Sequence, residues 1–151
     1  MKSLSELRAD AQAIFAAGIK SADPFVAVTR HVEAIGTMLR VDGRIYDLTA
    51  IENLFVVGCG KAAAPMARAL QEIFGARING GLVVVKYGQG LPLERIKVVE
   101  AGHPIPDEAG CAGAAEVTEM VCCAGADDLI FFVISGGGSA LLPMPVDGLT
   151  L

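Results

Sequence analysis

Positive charge is in short supply in this sequence. Twelve Lys and Arg stand against 17 Asp and Glu, a formal charge of −5 and a pI near 4.9. The chain therefore lacks the electrostatic footprint for duplex DNA or RNA, whose binding rests on neutralising phosphates, and no nucleic-acid partner is expected. Also missing is an apolar run long enough to span a bilayer. The longest uncharged stretch, Leu129 to Val146, is broken by Gly136, Gly137 and Gly138 and again by Pro143 and Pro145, which leaves only Leu129–Ile134 continuously apolar. At the amino terminus, Glu6, Arg8 and Asp10 interrupt what would have to be the apolar core of a secretory leader. No membrane partner and a cytoplasmic location are the expectation.

Cysteine and histidine are too few and too poorly spaced for metal or disulfide chemistry. Cys59, Cys111, Cys122 and Cys123 contain no C-x-x-C pair, and the only histidines are His31 and His103. That pattern suits neither a zinc site nor a disulfide framework. Cys122 and Cys123 are expected as small buried side chains on a helix, His31 as a structural residue, and no residue is singled out as a metal ligand.

Apolar side chains, by contrast, are abundant: 53% of 151 residues, with a mean hydropathy of +0.53 and 18 glycines among the rest. A chain of this length can bury roughly 68–70% of the surface exposed on unfolding, so a folded core is within reach. Ser3-Leu4-Ser5-Glu6 has the form of a capping box, and Leu4, Leu7, Ala11, Ile14, Phe15 and Ile19 follow at helical spacing up to Lys20. Asp23-Pro24 starts a second helix, whose stripe of Phe25, Val28, Val32, Ile35 and Leu39 predicts that it runs to Leu39. Asp42-Gly43, set between Val41 and Tyr46, predicts a small hairpin. Residues 1–50 thus read as a helical lead-in with a hairpin, and 51–151 as a βα core.

In that core, Leu54–Val57, Leu82–Val85, Ile96–Val99 and Leu129–Ile134 are short apolar runs with little alternation, the mark of strands buried on both faces. Helical patterns at Ala62–Phe74 and Asp107–Cys123 lie between them. The fold class expected is α/β: a doubly wound, mostly parallel, Rossmann-like sheet, incomplete, with two N-terminal helices. In such sheets ligands bind beyond the carboxyl ends of the strands.

Three of those ends carry suggestive residues. Gly58-Cys59-Gly60-Lys61 precedes a helix, where glycines permit a tight turn and Lys61 adds charge to a helix N-terminus suited to an anion. The Walker A pattern fails, since Phe55 stands where its first Gly belongs and Ala62 where Ser or Thr belongs. Gly58, Gly60 and Ala63 do satisfy the dinucleotide fingerprint, but no acidic residue lies between Ala76 and Gly90, and Lys86 ends the second strand; Lys86 could meet a 2′-phosphate, which keeps NADP open. After the third strand, His103 and Asp107 flank Pro104 and Pro106, and Asp107 is also a good N-cap. After the fourth comes Ser135-Gly136-Gly137-Gly138-Ser139, where successive glycines offer backbone N–H groups to an anion and the serines add hydroxyls. Ser139 lacks the flanking glycine of a nucleophile elbow. Two glycine-rich cradles with a lysine suit phosphoryl transfer, which needs positioning and charge neutralisation rather than a covalent nucleophile.

Val57-Gly58-Cys59-Gly60-Lys61-Ala62-Ala63-Ala64-Pro65-Met66-Ala67, Lys86-Tyr87-Gly88, Glu100-Ala101-Gly102-His103-Pro104-Ile105-Pro106-Asp107 and Ser135-Gly136-Gly137-Gly138-Ser139-Ala140-Leu141, in that order, resemble the glycerate 2-kinases that carry a MOFRL domain, relatives of which are also named hydroxypyruvate reductases. The resemblance implies ATP- and Mg²⁺-dependent phosphorylation of D-glycerate to 2-phosphoglycerate in a cleft between two domains. It implies Lys61 as the catalytic residue, and His103, Asp107, Ser135, Gly136, Gly137, Gly138 and Ser139 as residues that bind substrate or nucleotide, to which the tight turn before the helix adds Gly58 and Gly60. Asp107 is the acid offered as general base. Family members run well over twice as far, so the resemblance also implies an N-terminal portion whose C-terminal domain is absent, inactive alone and inclined to self-associate through uncovered apolar surface such as Leu141–Val146. Two other functions stay open: an NADP(H)-dependent hydroxypyruvate reductase, and a piece that binds anions or a partner without catalysis.

Overall fold

The computed structural model describes residues 2–151. Helix α1, Leu4–Ser21, begins with the predicted capping box: the Ser3 hydroxyl accepts the Glu6 N–H at 3.3 Å, and the Ser3 N–H donates to the Glu6 carboxylate at 2.6 Å. No residue of α1 is buried, and Leu4, Leu7, Ile14, Phe15 and Ile19 all face solvent. Helix α2, Pro24–His31, starts where predicted, with the Asp23 carboxylate accepting the N–H groups of Phe25 and Val26.

The expected run of α2 to Leu39 is corrected. The backbone turns extended at Val32, and Val32–Ile35 forms strand β1, paired antiparallel with β2, Met38–Val41. Gly36, at φ +60°, makes the turn between them. Val32 and Ile35 are β-branched and stiff at χ1, which favours a pleated strand, and the pairing buries Leu39 in the cluster that also holds Leu70 and Phe74. The second hairpin is where the sequence put it. Asp42 and Gly43 both take positive φ, as a two-residue hairpin turn requires, and lead into β3, Arg44–Asp47.

Four parallel strands form the main sheet: β4 (Leu54–Cys59), β5 (Ile78–Lys86), β6 (Lys97–Ala101) and β7 (Leu129–Ile134), in the order β6-β5-β4-β7. Successive side chains point to opposite faces. Val56, Val83 and Val85 pack with Ala64, Ala67, Leu70 and Phe74 of helix α3, Ala63–Phe74. Val57, Leu82 and Val84 pack on the other face with Val117 of helix α4, Glu108–Cys123. Helices on both faces explain why these strands read as unbroken apolar runs.

Small residues let α4 lie close to the sheet: a β-carbon at Gly113 would come within 2.6 Å of Val84 Cγ2. The buried stripe of α4, Gly110, Gly113, Ala114 and Val117, ends before the last turn. Cys122 and Cys123 are therefore exposed, which corrects the expectation that they are buried. At the amino ends of the strands, the Asp128 carboxylate accepts the Asn53 backbone and side-chain N–H groups at 3.1 and 2.7 Å and the Gly125 N–H at 2.8 Å, tying β4 to β7. At the edge, Phe132 and Ile134 of β7 are exposed; beyond the short helix α5, Gly138–Leu141, so are Met144, Val146, Leu149 and Leu151, whereas Leu141 is buried.

Candidate active site

Chain order runs outward from β4 through β5 to β6 and then returns to place β7 on the other side of β4. The reversal makes a topological switch point at the carboxyl ends of β4 and β7, the position where open α/β sheets form a ligand-binding crevice. Lys61 follows β4, and Ser135 to Ser139 follow β7.

The two segments interlock. Ser135 donates its N–H to Cys59 O at 3.0 Å, Lys61 donates its N–H to Gly136 O at 3.0 Å, and the Ser135 hydroxyl accepts the Ala62 N–H at 2.9 Å. Glycine is required on the β4 side by contact: a β-carbon at Gly58 would fall 2.0 Å from Val133 O, and one at Gly60 would fall 2.2 Å from Ser135 Oγ. Gly60 also sits at φ +125°, where other residues are strained.

The two loops differ in what their backbone N–H groups bond. After β4, the N–H groups of Gly60, Lys61, Ala62 and Ala63 are all spent, on Val84 O, Gly136 O, Ser135 Oγ and Gly60 O. After β7, the N–H groups of Gly136, Gly137, Gly138 and Ser139 meet no protein acceptor among the described residues. Gly137 is left-handed, at φ +97°. A left-handed residue among successive unspent N–H groups makes an anion-binding concavity.

Side chains gather over the same loop. A β-carbon at Gly137 would lie 2.8 Å from Nε2 and Cδ2 of His103 and 3.6 Å from Cε of Lys61, and one at Gly136 would lie 4.0 Å from the same Lys61 carbon. One cation and one imidazole thus flank the open donors. Beneath them, Cys59 is buried, with Sγ 2.9 Å from the place a Gly138 β-carbon would take, and burial pushes its thiol above the usual pKa.

Asp107 is engaged elsewhere. Its carboxylate caps α4 by accepting the Gly110 N–H at 3.0 Å and receives the Tyr87 hydroxyl at 2.9 Å. The backbone at Gly102, then that at Gly110 and the Tyr87 hydroxyl, hold it below the ordinary aspartate range. A carboxylate so stabilised is a weak proton acceptor. The structure thus brings Lys61, His103, Ser135 and Gly136–Ser139 together, uses Gly58 and Gly60 to pack the β4 turn against β7, and sets Asp107 one step back. Tyr87 and Glu100, which lie within the motifs but take no site role from them, are the neighbours that hold this arrangement, and their contacts join residues too far apart in sequence for spacing to show them.

A protein family described as a domain of unknown function, DUF4147, matches residues 10–151. The chain belongs to the DUF4147 family. Its relatives include a protein named glycerate 2-kinase from Pyrococcus horikoshii, 43% identical over 133 residues, which cover 88% of this chain and 29% of that one. A protein from Agrobacterium vitis, provisionally named hydroxypyruvate reductase, is 39% identical over 138 residues, covering 91% of this chain and 28% of its own. Among solved structures, a Pyrococcus horikoshii OT3 protein superposes with a TM-score of 0.85 at 39% identity over 99% of this chain and 33% of that one. A glycerate kinase from Thermotoga maritima superposes at 0.77 and 31% identity over 97% and 32%. This DUF4147 chain spans about 30% of the curated relatives it matches. No helix among the described residues is long and apolar enough to cross a membrane.

Proposed function

We propose that this chain supplies the phosphoryl-binding shelf of a glycerate 2-kinase, which transfers the terminal phosphoryl group of ATP to D-glycerate and gives 2-phosphoglycerate. The observation that carries the reading is the meeting of four unspent N–H groups with Lys61 and His103 at the crevice between β4 and β7. The names of the glycerate kinase relatives support the substrate.

The donor set fits a nucleotide polyphosphate. The backbone of Gly136–Ser139 would take phosphate oxygens, and the Lys61 ammonium would neutralise charge on the group in transfer. ATP would supply that group. The chain's own work is electrostatic and positional, where charged donors held in place before reaction are most effective. No cluster of three His, Cys, Asp or Glu side chains suited to a metal occurs among the described residues. Mg²⁺ bound with a nucleotide takes most of its ligands from phosphate oxygens and water, and no residue of this chain is assigned to it.

The names borne by some relatives favour a second reading, a reductase. Against it stands the β4 turn. A dinucleotide pyrophosphate takes its hydrogen bonds from the turn after the first strand, and there the N–H groups from Gly60 to Ala63 are already bonded within the protein.

A chimera tests both. With this chain in place of the matching segment of the Pyrococcus horikoshii glycerate 2-kinase, ATP, Mg²⁺ and D-glycerate should yield 2-phosphoglycerate by ³¹P NMR. Lys61→Ala should lower turnover by about 10²–10³. A folded chimera that makes no phosphoglycerate but oxidises NADPH with hydroxypyruvate would overturn the kinase reading. The isolated chain should bind ATP without turnover.

A further inference from the structure

Glu100, near the end of β6, spends Oε1 on the backbone of the preceding turn, accepting the N–H groups of Gly88 and Gly90 at 3.0 and 2.9 Å. The fit is close: a β-carbon at Gly90 would stand 2.9 Å from that same oxygen, and Gly88 takes φ +77°. This pins the turn after β5 and fixes where Tyr87 projects. Tyr87 is 54% exposed, so apolar burial does not account for its placement. Its hydroxyl is nevertheless bonded, donating to Asp107 Oδ2 at 2.9 Å.

Oδ1 of Asp107 holds the Gly110 N–H at the start of α4. One carboxylate thus joins the β5–β6 turn to the first turn of α4. The segment from Gly102 to Asp107, whose fold back on itself leaves only 2.5 Å between a Gly102 β-carbon and Ile105 O, is bracketed by these bonds. His103 lies in that segment, with its ring against Gly137.

We infer that Glu100 and Tyr87 are positioning residues: through Asp107 they set the 102–107 segment so that the His103 ring stays beside the glycine loop and Lys61. The ring fills the space a side chain at Gly137 would need, so its placement decides how much room an anion finds over the open N–H groups. The effect on ligand binding rests on the kinase-site reading above; the effect on His103 does not.

Tyr87→Phe removes the hydroxyl and keeps the ring, and Glu100→Gln keeps an acceptor but removes its charge. In the unaltered chain, NMR should show cross-relaxation between His103 Hδ2 and the Gly137 α-protons. In Tyr87→Phe that contact should weaken or vanish, and the apparent Kd for ATP should rise about three- to tenfold, the loss of one modest hydrogen bond, with the thermal midpoint lowered by no more than about 2–4 °C. Glu100→Gln should move both readouts the same way by less. An unchanged His103–Gly137 contact in both variants overturns the inference, whatever the affinity does. If the contact is lost as expected while the unaltered chain binds neither ATP nor inorganic phosphate, the strut stands and the site reading fails.

Discussion

The two glycine-rich loops at the crevice look alike in sequence and differ in what their backbone is free to do. After β4, glycines are needed because Val133 and Ser135 press against them, and the N–H groups that follow are consumed in holding the turn. After β7, the neighbours at Gly137 and Gly138 are the side chains of His103 and Cys59 rather than backbone, and four N–H groups remain open. Glycine serves close packing in one loop and donor access in the other. A glycine motif is ambiguous until its hydrogen bonds are traced.

Substitutions should separate the loops by which property fails. The largest effect is expected at Gly58→Ala and Gly60→Ala, where the new methyl group meets Val133 O at 2.0 Å or Ser135 Oγ at 2.2 Å. Each should cost about 3 kcal/mol or more of stability from overpacking, with backbone strain added at Gly60. Denaturant melts would show it, and a loss under 1 kcal/mol would break the packing account. Next comes Lys61→Ala: ATP affinity by calorimetry should fall about ten- to hundredfold, as for a lost charge-assisted contact. Lys61 is exposed, so stability should stay within about 0.5 kcal/mol.

Gly137→Ala should act between these extremes. Its φ of +97° and the His103 ring 2.8 Å away disfavour a side chain, but the ring can shift. A stability cost of about 1–2 kcal/mol is expected, with a larger proportional loss of ATP binding, the reverse of the pattern at Gly60.

The smallest effect concerns acid. Asp107 is held below the ordinary aspartate range by the Gly102 and Gly110 backbone and Tyr87, and Asp128 chiefly by the Gly125 backbone and the Asn53 side chain. Between its folded and unfolded pKa values, the native state binds fewer protons than the unfolded one. Each carboxylate's contribution is therefore complete above the ordinary aspartate value and is lost as pH falls through the lowered one. Unfolding free energy should decline below about pH 4, and less steeply in Asp128→Asn. An identical slope in that variant would remove Asp128 from the acid limb.

The main sheet was legible from sequence because its strands are buried on both faces. Leu129–Ile134 matches β7 end to end, and Leu82–Val85 falls short of β5 where Gly80, Gly81 and Asn79 dilute the apolar signal. The end of α2 was not legible, since Val28, Val32, Ile35 and Leu39 keep helical spacing while the Leu39 burial that decides the strand is tertiary. Cys122 and Cys123 were misplaced because periodicity says which face is apolar and not where the covered part of a helix stops. At the site, the loops could be found as glycine runs at strand ends. Which loop keeps its donors, and that Asp107 is spent on Tyr87 and α4, depends on partners from distant parts of the chain.

Backbone amide shifts during titration of ¹⁵N-labelled chain with ATP and Mg²⁺ test the division between the loops most directly. The largest shifts should fall at Gly136, Gly137, Gly138 and Ser139, with small ones from Gly60 to Ala63. Largest shifts from Gly60 to Ala63, with Gly136–Ser139 unmoved, would contradict that division.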